Sequence, residues 1–157
     1  MSKSTDIAAL FDQYVMHTYA PTATLTSGSG CKVRDPDGKT YLDFTSGIAV
    51  HNVGHCHPKV VKAVQDQVAA LGHCSNLFYN VNQALLAQRL SKLSLNGKCF
   101  FCNSGAEANE AMIKLARLWG HEKGKFEIIT LQNSFHGRTL ATMAATAQAK
   151  IQKGYDP

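Results

Sequence analysis

Apolar residues recur along the chain with two different periods. Near the start, Ile7, Leu10, Phe11, Tyr14 and Val15 follow helical spacing, which predicts a helix over Asp6–Thr18 that Pro21 ends. Cys31–Phe44 reads as a β-hairpin turning on Asp35-Pro36-Asp37-Gly38. Val61, Val64, Val68 and Leu71 form one stripe of a helix over His57–Leu71, with Pro58 at its first position and Gly72 as its stop. Leu86, Leu90 and Leu93 mark another helix over Asn82–Leu95, with Asn82 as its cap.

The pattern then changes. Lys98–Cys102 and Phe126–Leu131 are short, largely apolar runs and read as buried strands. Helical patterns over Ala106–Trp119 and Thr139–Lys150 follow them. Strand, helix, strand, helix with short links predicts parallel strands in an α/β layer. Two such strands leave that sheet incomplete.

The links between strand and helix carry the candidate chemistry. In "FFCNSGAEANEAMIKLAR" (Phe100 to Arg117), Ser104 and Glu107 fit a capping box, with Gly105 the first helical residue. Ala108, Ala111, Met112, Leu115, Ala116 and Trp119 share one face, and Glu110 and Lys114 are spaced to pair on the exposed side. A well-capped packing helix explains most of this, but not the glycine. Gly105 costs about 1 kcal/mol of helix propensity relative to Ala. It leaves room for an anion at the Gly105 and Ala106 N–H groups, where the helix dipole is favourable. Plain capping and phosphate binding both stay open at this point. In "NSFHGRTLATMAA" (Asn133 to Ala145), Phe135 lies just past the second run, Gly137 permits a sharp turn, and Arg138 can clamp a carboxylate in bidentate fashion. Together these residues suit a planar phosphorylated cofactor and an amino or keto acid.

Composition narrows the setting. The 157 residues are 45% hydrophobic and 17% charged, enough to bury a core. The net charge of +5 is dispersed, with no basic run of the kind that binds nucleic acid. Five cysteines, an odd number, and the lack of an N-terminal signal pattern favour reduced thiols in the cytoplasm. No apolar run approaches membrane-spanning length. His51, His55, Cys56 and His57 cluster, and Cys99 and Cys102 could supply thiolates. On a strand, however, residues three apart point to opposite faces, so no metal site is expected.

Several stretches resemble the class III (ornithine/acetylornithine-type) pyridoxal-phosphate aminotransferases of fold type I. They are "YAP" at Tyr19, "DPDGKTYLDFTSGIAV" at Asp35, "GHCHP" at Gly54, "SNLFYN" at Ser75, "NSGAEANEAMIKLAR" at Asn103 and "SFHGRT" at Ser134. They occur in order and span essentially the whole chain, and their wording is most similar to the acetylornithine type. The resemblance implies that Gly105 and Ala106 bind the phosphate of pyridoxal 5'-phosphate and that Phe135 stacks on its ring. It implies that Arg138 holds the substrate carboxylate with Tyr19 nearby, that Ser46–Val50 border the pocket, and that Asn76–Tyr79 reach toward a partner subunit in a homodimer. It also implies that residues 1–72 are the N-terminal helix, hairpin and helix segment of the small domain and linker. Residues 73–157 would begin the large cofactor-binding domain.

The family's Schiff-base lysine and the acid that pairs with the pyridinium nitrogen lie beyond the equivalent of Pro157. No catalytic residue is therefore assigned, and the chain alone is expected to be inactive. The expected reaction of the complete protein moves the terminal amino group of N2-acetylornithine to 2-oxoglutarate, in arginine biosynthesis. Ornithine, 4-aminobutyrate and succinyl-diaminopimelate are the alternative donors. A truncated, non-catalytic product is the rival reading.

Overall fold

The Asp35–Gly38 turn closes as its sequence predicts. In the computed structural model, which describes residues 3–155, strands β2 (Lys32–Arg34) and β3 (Thr40–Leu42) pair antiparallel, with Lys32 opposite Leu42 and Arg34 opposite Thr40. The Asp35 carboxylate is the fastening. It accepts from the N–H groups of Asp37 (3.0 Å) and Lys39 (2.8 Å) and from the Tyr41 hydroxyl (2.9 Å). Val33, at the centre of β2, is only 6% exposed. A third strand, β1 (Ser27–Ser29), pairs with β2 on its other edge. Its sequence, Ser-Gly-Ser, has low strand propensity and gave no warning of a strand.

This hairpin belongs to the first of two compact units, which ends at Phe78; the second begins at Tyr79. In the first unit, helix α1 (Lys3–Tyr14) starts earlier than its apolar stripe suggests. The Asp37 carboxylate accepts from the Lys3 and Ser4 N–H groups at 2.9 and 3.1 Å, placing negative charge at the helix N-terminus. After β3 the chain makes one left-handed turn, α2 (Ser46–Ala49), with φ of 50° to 63° through Ser46, Gly47, Ile48 and Ala49. The β-branched Ile48 is strained in this region.

Asp43 holds the entry to that turn. It accepts from the Thr45 N–H (2.9 Å), the Thr45 hydroxyl (2.8 Å) and the Ser46 N–H (2.8 Å), and its other oxygen lies 2.6 Å from His55 Nε2. His55 is tied to Gly30 by a pair of backbone hydrogen bonds. Helix α3 (Pro58–Ala70) then begins with Pro58 at its first position.

The second unit contains α4 (Val81–Lys92), α5 (Gly105–Gly120), α6 (Leu140–Ala145) and α7 (Ala149–Gln152), with a short 3-10 turn, His121–Lys123, after α5. Three expectations are corrected here. The cap of α4 is Asn80, whose side-chain oxygen accepts from the Gln83 N–H at 3.0 Å, and not Asn82. The helix expected over Thr139–Lys150 is two helices. Its break begins at Thr146, whose hydroxyl folds back onto the Thr142 carbonyl (2.9 Å) and also accepts from the His136 N–H (2.9 Å).

The third correction concerns Lys98–Cys102 and Phe126–Leu131, which are neither strands nor buried. Among the described residues the sheet is the three-stranded antiparallel one, and no ladder includes either run. Phe100 is 71% exposed and Ile129 98%. A strand exists only where a neighbour accepts and donates its backbone hydrogen bonds, and no described segment does so for these runs. The broad apolar face of α5 is open for the same reason, with Met112, Leu115 and Trp119 all exposed. Among the described residues, no helix is long and apolar enough to cross a membrane.

Candidate functional site

Helix α5 begins as its capping pattern predicts. The Ser104 hydroxyl accepts from the Glu107 N–H (3.1 Å) and donates to the Glu107 carboxylate (3.1 Å). That carboxylate also turns back to accept from the Asn103 N–H (2.8 Å) and side-chain amide (3.3 Å). The Asn103 amide, then the Ser104 hydroxyl, hold the Glu107 carboxyl below its ordinary range. Because Glu107 faces backward, it leaves the next two donors uncovered. Among the described residues, neither the Gly105 nor the Ala106 N–H has an acceptor. A Cβ built on Gly105 would meet nothing within 4 Å. Two convergent N–H groups at an open, dipole-favoured helix end fit a phosphate.

The loop after the second apolar run lies against this helix end. Gly137 has φ +136°, and a Cβ there would stand 2.8 Å from Ala106 Cβ and 2.5 Å from Thr142 Oγ1. Only a glycine allows so close an approach in that backbone conformation. Phe135 and Arg138 flank this contact, with the Arg138 guanidinium carbon 5.9 Å from the centre of the Phe135 ring. Both side chains are exposed. The second unit thus brings Gly105, Ala106, Phe135 and Arg138 to one locality. Tyr19 belongs to the first unit, in an exposed bend after α1.

Several polar residues of the junction were not anticipated from the sequence. The Asn109 side-chain amide donates to the His136 carbonyl at 2.7 Å. The Glu110 carboxylate accepts from the Thr139 hydroxyl rather than pairing with Lys114. Thr142 and Thr146 are fully buried and hydrogen-bonded within the loop and α6. One hint was available in advance: Ala106, Asn109, Glu110 and Ile113 share a narrow face at i, i+3, i+4 and i+7, opposite the broad apolar one.

Comparison with known proteins shows the fold and the family. Across the whole chain the fold matches an ornithine aminotransferase from Toxoplasma gondii, with TM-score 0.86 and 27% identity, covering 38% of that protein. That structure has pyridoxal phosphate at partial occupancy in its active site. A Bacillus anthracis aminotransferase matches with TM-score 0.88 and 34% identity over 98% of the chain and 36% of its own. These neighbours define the α/β fold of type I pyridoxal-phosphate enzymes. Residues 14–157 match the family described as Aminotransferase class-III, and the chain belongs to that family, whose members depend on pyridoxal 5'-phosphate.

Among curated relatives, the acetylornithine aminotransferase of Thermosynechococcus vestitus is 53% identical over 151 residues, 94% of this chain. That of Methanocaldococcus jannaschii is 54% identical over 138 residues, 85% of the chain. The chain spans only 37% and 34% of the length of these two relatives.

Proposed function

We propose that this chain is the N-terminal part of an acetylornithine aminotransferase. The complete protein moves the terminal amino group of N2-acetylornithine to 2-oxoglutarate, a step of arginine biosynthesis, and works as a homodimer in the cytoplasm. Identity of 50–54% to several proteins named acetylornithine aminotransferase is the observation that carries the substrate assignment. Bound pyridoxal phosphate supplies an electrophilic carbonyl and an electron-withdrawing ring that lets an amino group be stored between two half-reactions.

The chain's own residues have binding and orienting roles in this reading. The Gly105 and Ala106 N–H groups hold the phosphate, and the α5 dipole supports the negative charge. Phe135 packs on the flat ring and fixes its tilt. Arg138, beside Phe135, takes the α-carboxylate of donor and acceptor in turn, and a planar guanidinium suits both. Tyr19 is the second substrate-binding residue in this reading, on the family resemblance of its Tyr-Ala-Pro stretch. Residues 1–72 contribute the small-domain side of the enzyme, and 73–157 begin the cofactor domain.

The test is Arg138→Ala in the complete enzyme. Loss of a desolvated charge-assisted pair costs about 2–5 kcal/mol in kcat/KM. The cofactor absorbance should persist, because the phosphate contacts are untouched. Unchanged donor half-reaction kinetics would refute the role of Arg138. A strong preference for 4-aminobutyrate or ornithine over N2-acetylornithine would overturn the substrate.

A further inference from the structure

The α5 face that meets the loop is small and polar where a packing helix is normally apolar. Ala106 touches Gly137, Asn109 donates to the His136 carbonyl, and Glu110 accepts from Thr139, so one helix face follows the loop residue by residue. The His136 backbone is held on both sides. Its carbonyl accepts from Asn109 and its N–H donates to the Thr146 hydroxyl (2.9 Å) at the end of α6. A carbonyl can only accept, so the amide nitrogen of Asn109, and not its oxygen, must face it. His136 lies between Phe135 and Gly137-Arg138, so this contact sets the backbone from which the ring-stacking and carboxylate-binding side chains both project.

We propose that Asn109, supported by Glu110, is a positioning residue that holds the 135–138 loop in register with the Gly105–Ala106 phosphate donors. One helix then aligns three parts of the site: its first turn takes the phosphate, and its second turn fixes the loop that carries Phe135 and Arg138. This inference rests on the site assignment proposed above. The Asn109 side-chain amide is engaged by the His136 carbonyl. It acts through the loop, and the relevant property is its donor rather than its bulk.

The test uses the complete enzyme. Asn109→Asp keeps the shape but removes the donor and sets a carboxylate oxygen against the His136 carbonyl. It should raise KM for both the amino donor and 2-oxoglutarate, on the order of tenfold, as a small misplacement of a binding group does. Cofactor content should stay within about twofold of wild type, since the phosphate donors are not altered. A merely structural role would lower the folded, cofactor-loaded fraction and leave KM where it was, and that result overturns the proposal. If Asn109→Asp yields no folded enzyme, Glu110→Ala removes the neighbouring tie and Glu110→Gln restores an acceptor. A raised KM in the first, recovered in the second, supports the proposal, and equal KM values in both overturn it. Arg138→Ala serves as the control. If it leaves KM unchanged, the site assignment itself is wrong. If it raises KM while Asn109→Asp does not, only the positioning role fails.

Discussion

The hairpin of the first unit and the two apolar runs of the second start from similar promise and end differently. Lys32–Arg34 and Thr40–Leu42 pair across a five-residue connection, although Val33 is their one buried apolar side chain. Phe100-Phe101 and Ile128-Ile129 are far more apolar, yet neither run enters a sheet. The hairpin brings its own partner within ten residues, at low cost in loop closure. The runs lie some 25 residues apart, and a parallel pairing needs a crossover and further strands around it. Hydrophobic pattern therefore marks which residues can become a strand, and a nearby partner decides whether they do.

The strongest way to break this contrast is to remove the hairpin's local fastening. Asp35→Ala deletes the acceptor of three donors, two of them backbone N–H groups within the turn. The expected loss is about 1–3 kcal/mol, seen as a lower urea midpoint and faster amide exchange over Lys32–Leu42. An unchanged midpoint would mean that the turn residues alone close the hairpin.

A smaller effect should follow from acid. The His55 hydrogen bond first, and then the Ser46 N–H and the Thr45 hydroxyl, hold the Asp43 carboxyl well below the usual carboxylate range. Its folded value is thus below the unfolded value of about 3.9. The stabilisation is complete above that value and is lost as pH falls through the lower, folded one. The urea midpoint should fall more steeply in acid for the wild type than for Asp43→Asn. Parallel curves would show that the Asp43–His55 contact contributes nothing to folding. The apolar runs, already unpaired, should not respond.

The same distinction explains what could be read in advance. The Asp35–Gly38 turn, Pro58 at the start of α3 and the Ser104 cap of α5 are local devices, complete within four residues, and all three are present. Asn80 displaced Asn82 as the α4 cap because either Asn could serve, and only backbone geometry selects between them. β1 was hidden because it is a strand by pairing and not by composition. At the candidate site, the capped helix end and the glycine of the loop were legible. Asn109 was not, because its partner is 27 residues away and a mid-helix Asn has no local meaning. The broad apolar face of α5 stays largely open, with Met112, Leu115 and Trp119 all exposed and Lys123 lying over the Trp119 ring.

Residue-resolved amide hydrogen exchange on the chain of 157 residues tests this account most directly. Partner supply, and not apolar content, should decide protection. The amides of Lys32–Leu42 that enter the hairpin ladder and those inside α5 should be protected, while Phe100, Phe101, Ile128 and Ile129 exchange at unprotected rates. In the complete enzyme those four should become protected. Protection of the four in the isolated chain, equal to that of the hairpin, would contradict the account.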